Sequence, residues 1–274
     1  MTRVAAPLPS PAAASDAILA AWAAEPGRSV RARLACDDGR AWEGGHAADV
    51  PRPGASVLKV AIGIAADRAI ADGTLDPDGP VPVAELRART GGPGLPWLLG
   101  TERALSVSEA IGLMLALSEN AATAAILDRV GLPAVRAALV AAGCPATTIG
   151  PDPGDPAAPP VGTTTATDAL ALLAAGTDAA RHPRTAHALA NSLLNSRIPL
   201  GATGHDVAIA HKTGSLPGVA HDVALLTADG GTLAIAFLTE AQHDTLTAGY
   251  AMGIATRTLL ETWGLGVRRT RGLG

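Results

Sequence analysis

Ser56-Val57-Leu58-Lys59 sets a hydroxyl and an amine three residues apart at the head of an apolar run, Val60 to Arg68, preceded by Pro51-Arg52-Pro53-Gly54. Residues i and i+3 share a helix face, and Pro-Gly before such a run reads as a turn feeding a helix N-terminus. Ser56 is therefore expected in the first turn. Unpaired backbone N–H groups and the positive end of the helix dipole there favour the charge that develops on an acylated serine. Lys59 can take the serine proton if burial or a second cation lowers its pKa. The competing reading is a solvated lysine beside a helix cap.

Composition tips that balance. Of 21 basic side chains only Lys59 and Lys212 are lysine; the rest are arginine. Arginine serves on a surface but cannot lose its proton, so such a chain keeps lysine mainly where an amine is required. Lys212 opens Lys212-Thr213-Gly214 on a stretch of strand-like alternation, where a glycine lets a ligand approach the backbone.

The elements that must position these groups follow from periodicity and punctuation. Ala14 to Ala24 is expected as a helix, and Ser29–Cys36 with Ala41–Gly45 as a hairpin. The Ser56 helix should end near Asp72-Gly73, and Leu75 to Leu99 reads as loop with a short strand or turn. Ser106-Val107-Ser108-Glu109 is a capping box opening a helix to Leu117. Helices are expected over Ala121–Val130 and Pro133–Ala142, from Thr163-Thr164-Thr165 to Ala175, and over Pro183–Asn195. Strands are expected at Val207–His211, Ala220–Leu226 and Thr232–Thr239, the last two joined at Gly230-Gly231, before a closing helix from Thr245 to Trp263. The order implies an α+β fold: an antiparallel β-sheet built from both chain ends, flanked by helices, with an inserted all-helical lobe. The chain 1–274 reads as one domain, its α/β lobe drawn from about 14–60 and 200–264 and its helical lobe from about 61–199. The cleft between them is the natural site.

At 274 residues, 48% hydrophobic and net charge −4, the chain is that of a soluble globular protein. It carries no basic block to suggest nucleic acid or an anionic membrane as partner, and no apolar run of about 18 residues. Met1 to Ser15 is broken by Pro7, Pro9 and Pro11, unlike a signal peptide. Taken as full length the protein is expected in the cytoplasm; taken as trimmed, it is exported. Cys36 and Cys144 read as buried free thiols. His182, His187 and His205 show no metal spacing, so no metal and no cofactor are assigned.

Ser56-x-x-Lys59, Ser118-Glu119-Asn120 and Lys212-Thr213-Gly214 fall in order and at comparable spacing to the three motifs of class A β-lactamases and penicillin-binding proteins. Over nearly its whole length the chain resembles a class A β-lactamase-like serine hydrolase. The resemblance implies Ser56 as the acylated nucleophile, Lys59 as its proton acceptor or relay, and Ser118 as proton donor to the leaving nitrogen. It implies Asn120 on the substrate's side-chain amide, Lys212 and Thr213 facing an anionic carboxylate, and an oxyanion hole from the Ser56 and Ser215 backbone N–H groups. The expected partner is a small molecule: a β-lactam, amide or ester bearing a carboxylate. Oligomeric state is not readable.

The departures matter as much. Class A β-lactamases deacylate with a loop glutamate, yet there is no glutamate between Glu119 and Glu240. The acids in the matching loop are Asp152 and Asp155, one methylene shorter, so neither takes the glutamate's place without a shifted backbone, and both read first as turn and loop-closing acids. Glu119 stands where the family has aspartate, and the strand after Gly214 lacks the family's carboxylate-holding arginine. Trp97 is a candidate for the aromatic gate or an ordinary packed tryptophan. Arg197 reads as a structural arginine pairing a carboxylate across the cleft floor, and His211 and His221, placed where a histidine could tune Lys212 by proximity, read first as sheet histidines bonded to neighbours. Three readings follow: a β-lactamase-type hydrolase with atypical deacylation, a penicillin-binding-type acyltransferase or carboxypeptidase, and a non-catalytic sensor that stays acylated.

Overall fold

The computed structural model describes residues 9–89, 94–152 and 161–266. Helix α1 (Pro11–Trp22) is capped by Ser10, whose side chain accepts the Ala13 N–H. Strands β1 (Arg28–Cys36) and β2 (Ala41–His46) form the expected hairpin, with Leu34 opposite Trp42. The two-residue β3 (Arg52–Pro53) leads into a single 3-10 turn, Ala55–Leu58, and then α2 (Lys59–Ala71). The helix predicted to open at Ser56 thus starts as a tighter turn, with the α-helix proper beginning at Lys59.

The stretch read as loop is more ordered than expected. It holds β4 (Pro80–Pro82), α3 (Val83–Arg89) and a 3-10 turn at Leu95–Leu98. Two prolines just ahead of Val83 masked a seven-residue helix whose Val83 and Leu86 are buried. β5 (Ala104–Ser106) pairs with β4, and α4 (Val107–Ala116) carries the full capping box between Ser106 and Glu109. The two helices expected next join as α5 (Asn120–Ala141), bent at Gly131, whose φ of 75° only glycine adopts freely. Thr163-Thr164 do not begin a helix: they form β6 (Thr163–Thr164) against β3, and Thr165 caps α6 (Ala166–Gly176). Beyond α7 (Pro183–Ala190), which ends short of the predicted Asn195, comes the single turn α8 (Ile198–Gly201).

β7 (Val207–Leu216) runs five residues past its predicted end and so contains Lys212-Thr213-Gly214. β8 (Val219–Ala228), β9 (Gly231–Thr239) and α9 (Thr245–Trp263) complete the chain. The sheet order is β2-β1-β9-β8-β7, all antiparallel, so β1 lies against β9 from the other end of the chain. This is the expected α+β sheet from both chain ends.

Two apolar cores flank the sheet. Trp22, Val30, Phe237, Met252 and Leu259 pack α1 and α9 on one face; Ile62, Ile111, Met114, Ile126 and Leu172 build the helical side with Val223 and Leu238 from the other. α2 runs through the latter core, with every residue from Lys59 to Asp67 buried. Burial at about 25 cal/mol per Å² of apolar surface makes such a helix a rigid mount for whatever its first turn carries. No helix among the described residues is long and apolar enough to cross a membrane.

Candidate active site

Ala55, just before Ser56, has φ 45°, a left-handed conformation that a residue with a Cβ adopts at a cost of about 1 kcal/mol or more. It turns the chain so that Ser56 N–H is one of the opening donors of the 3-10 turn, with no acceptor inside it. Ser118 has the same unusual backbone, φ 60°. There the twist aims the Ser118 carbonyl at the Lys59 amine, 2.6 Å away.

Lys59 is 3% exposed. Its Nζ lies 2.7 Å from Asn120 Oδ1 and 3.2 Å from Ser118 Oγ, besides the Ser118 carbonyl. Carbonyl oxygens can only accept, so they take two N–H groups; a neutral amine then has one lone pair left, which the Ser118 hydroxyl can meet as donor. Burial lowers the Lys59 pKa to about 7, against the opposing pull of the Glu119 carboxylate. With its Oδ1 bound to Lys59, Asn120 keeps its NH₂ free to donate to a ligand carbonyl. Glu119 caps α5 by accepting the Ala121 N–H at 3.1 Å.

β7 is the sheet edge beside this cluster. Ser215 is in register with Ala220, whose backbone N–H and C=O both meet Thr239 Oγ1 on the β9 side. In an antiparallel ladder that makes Ser215 and Ala220 a non-hydrogen-bonded pair, so the Ser215 N–H points off the open edge. Ser56 and Ser215, each with a backbone N–H left without an acceptor in its own turn or ladder, both line the cleft. Lys212 is 1% exposed, and its Nζ donates to the Thr213 carbonyl at 3.0 Å. Burial first, then Lys59 and Arg197, push its pKa well below the ordinary lysine value, with Asp222 opposing.

Gly214 is buried, and the space a Cβ would need is already taken by His221 and Ala55. Its smallness therefore serves the approach of β7 to the Ser56 turn, rather than the approach of a ligand to the strand. His221 is a sheet histidine as expected: Nε2 donates to the Pro53 carbonyl at 2.6 Å and Nδ1 accepts the Thr239 N–H at 3.0 Å. It ties β8 to the segment that delivers Ser56.

Arg197 differs from its sequence reading. Its guanidinium donates to the Gly214 carbonyl at 2.9 Å, to the His221 carbonyl and to Ser215 Oγ at 2.7 Å, all uncharged groups of β7 and the adjoining β8. The strand-borne arginine is absent, but a cation reaches the same edge from the connection before α8. Only the proline after Ile198, which starts that helix, hinted at so fixed a backbone.

A cleft of about 430 Å³ joins these parts, lined by Ser56, Lys59, Asn120, Ser215, Asp152 and apolar walls that include Ile62. Lys212, Thr213 and Gly214 stand behind its β7 edge. Asp155 lies outside the described residues. Trp97 is half-exposed under the Arg87 guanidinium, 5.1 Å from its ring centre, on the turn whose Gly94 adjoins Glu119. Among the described residues no group of three or more His, Cys, Asp or Glu side chains gathers as a metal site.

The β-lactamase enzyme family model matches residues 15–263. The chain belongs to that family. No curated protein sequence matches it. Among solved structures it is similar to a β-lactamase from Sphaerobacter thermophilus DSM 20745, with 25% identity and a TM-score of 0.77 over 92% of this chain and 97% of that one. PBP-A gives 19% identity and a TM-score of 0.77 over 95% and 99%. A point mutant of PBP-A, solved as an acyl-enzyme complex with penicillin G, gives 19% and 0.76 over 94% and 99%. Family and fold together make the protein a β-lactamase-like serine hydrolase.

Proposed function

We propose that the protein transfers acyl groups through an ester on Ser56, acting on a β-lactam or a related amide or ester that carries a carboxylate. The observation that supports this most is the buried Lys59 amine, held by Ser118 and Asn120 and facing the same cleft as Ser56. In its neutral form Lys59 takes the Ser56 proton, directly or through Ser118. The serine oxygen bonds to the substrate carbonyl carbon, and the carbonyl oxygen becomes an anion between the Ser56 and Ser215 N–H groups. As the carbon–nitrogen or carbon–oxygen bond breaks, Ser118 hands a proton to the leaving atom and recovers one from the Lys59 ammonium. Asn120 donates to the acyl side chain's amide oxygen, while Ser215 meets the carboxylate at the β7 edge, with Lys212 and Thr213 behind it.

Hydrolysis of the ester is the slow step in this reading. No glutamate stands between Glu119 and Glu240 to activate water, and Asp152 is the only carboxylate among the described residues lining the cleft. That same lack favours a second reading, a penicillin-binding-type acyltransferase or carboxypeptidase, whose acyl group goes to an amine or to water. Intact-mass spectrometry after mixing with a chromogenic cephalosporin separates them. The proposal expects a burst of one adduct per wild-type chain, none on Ser56→Ala, and slow release as hydrolysed product. Equal labelling of both proteins would remove Ser56 as nucleophile; release that depends on added amine would favour the acyltransferase.

A further inference from the structure

Arg197 reaches the β7 edge from a connection that belongs neither to the sheet nor to a long helix, so something must fix its backbone. The residues around it are bound to one chain of polar groups that runs from the buried Asp222 and His211 to the exposed Asn195. Ile198 N–H donates to Asp222 Oδ2 at 3.0 Å, His211 Nδ1–H donates to Asp222 Oδ1 at 2.9 Å, and His211 Nε2 lies 3.1 Å from the Asn195 side-chain amide. The connection is therefore pinned two residues before Arg197 and one residue after it, from adjacent strands β7 and β8. Asp222 is fully buried and His211 is 2% exposed, so water competes little for the Ile198–Asp222 and Asp222–His211 bonds. On α9, Gly249 leaves room for the Arg197 stem: a Cβ there would lie 3.3 Å from Arg197 Cγ.

The guanidinium so held has donors to spare. Its bonds to Gly214, His221 and Ser215 engage three of five N–H groups, and Ser215 itself lines the cleft. Two N–H groups next to a cleft-facing hydroxyl suit a planar anion.

We propose that His211 and Asp222, with Asn195, are positioning residues for recognition of the substrate's carboxylate: they hold Arg197 at the β7 edge, where it and Ser215 receive that anion. This rests on the carboxylate-bearing substrate read above. A purely structural role for the same chain would weaken every reaction of the enzyme alike, whereas positioning through Arg197 acts only on substrates with the anion.

Acylation kinetics with a β-lactam bearing a free carboxylate and with its methyl ester test this. Wild type should prefer the free acid. His211→Gln should lower the second-order acylation rate for the acid about tenfold, mostly through KM, and change the ester less than twofold. In an Arg197→Ala background His211→Gln should have no further effect on the acid. Should His211→Gln not fold, Asn195→Ala, at an exposed position, carries the same expectations. Equal losses on both probes, or fully additive losses in the double variant, would overturn the proposal while leaving the Ser56 adduct intact. Equal reactivity of wild type toward acid and ester would remove the carboxylate reading and this proposal together.

Discussion

Gly214 on β7 lies directly against Ala55 in the turn that carries Ser56: a Cβ at Gly214 would come within 3.2 Å of the Ala55 Cβ and 3.1 Å of the His221 ring. Each of these two residues immediately precedes one of the two candidate oxyanion donors. Their contact therefore sets the spacing between the Ser215 and Ser56 N–H groups. Gly214→Ala should push β7 away and slow acylation about 10²-fold, the scale of losing one oxyanion donor. Stopped-flow acylation checks this, and an unchanged rate would show that the two amides do not share an oxygen.

Acylation should depend on a neutral Lys59. With a pKa of about 7, the amine is mostly charged below that pH and mostly neutral above it. The acylation rate should rise through about pH 7 and level off. Glu119 favours the ammonium, so Glu119→Gln should move the rising limb to lower pH. Lys59→Arg, which cannot give up its proton, should lose about 10²- to 10⁴-fold. The pH profile of single-turnover acylation decides, and a flat wild-type profile from pH 6 to 8 would exclude this base.

His221 should make the fold acid-sensitive. Its Nδ1 accepts a hydrogen bond and its Nε2 donates one, so the bonded ring is neutral; burial takes its pKa from the ordinary 6.5 to about 4. Between those values the unfolded chain binds more protons than the folded one. The stability is complete above pH 6.5 and falls as pH drops toward 4, by about 3 kcal/mol from this group. Urea unfolding at pH 7 and pH 4.5 should show a steeper loss for wild type than for His221→Gln, itself less stable at pH 7. Parallel losses in the two would mean that the ring titrates normally.

Asp152 should matter only after the ester has formed. Asp152→Asn should leave acylation within twofold and slow release of the adduct about tenfold, short of the full effect of a well-placed general base. Time-resolved mass spectrometry of the adduct separates the two steps. An unchanged release rate would return Asp152 to a loop-closing role.

Much of the fold was legible because its signals are local: the capping box at Ser106 and Glu109, the hairpin at Gly230-Gly231 and the alternation in β1 all read directly. The scarcity of lysine singled out Lys59 and Lys212, and the resemblance to the three family motifs, not composition, joined Ser118 and Asn120 to Ser56 and Lys59. What sequence did not disclose depends on distant neighbours. β3 and β6 pair only because Arg52 and Thr164 meet across the fold, and no residue type announces positive φ at Ala55 or Ser118. Arg197 reads as structural from its own segment, yet it meets carbonyl and hydroxyl oxygens rather than a carboxylate, because its partners are decided by β7 and β8.

The pairing of β1 with β9, Arg28 opposite Thr239, has a consequence for biosynthesis. On the ribosome the first hairpin emerges long before its partner strand, and must wait exposed while the helices between them are made and collapse. Enzyme activity should therefore switch on abruptly only once β9 has cleared the exit tunnel, and nascent chains stalled earlier should carry the serine and its lysine yet remain inert.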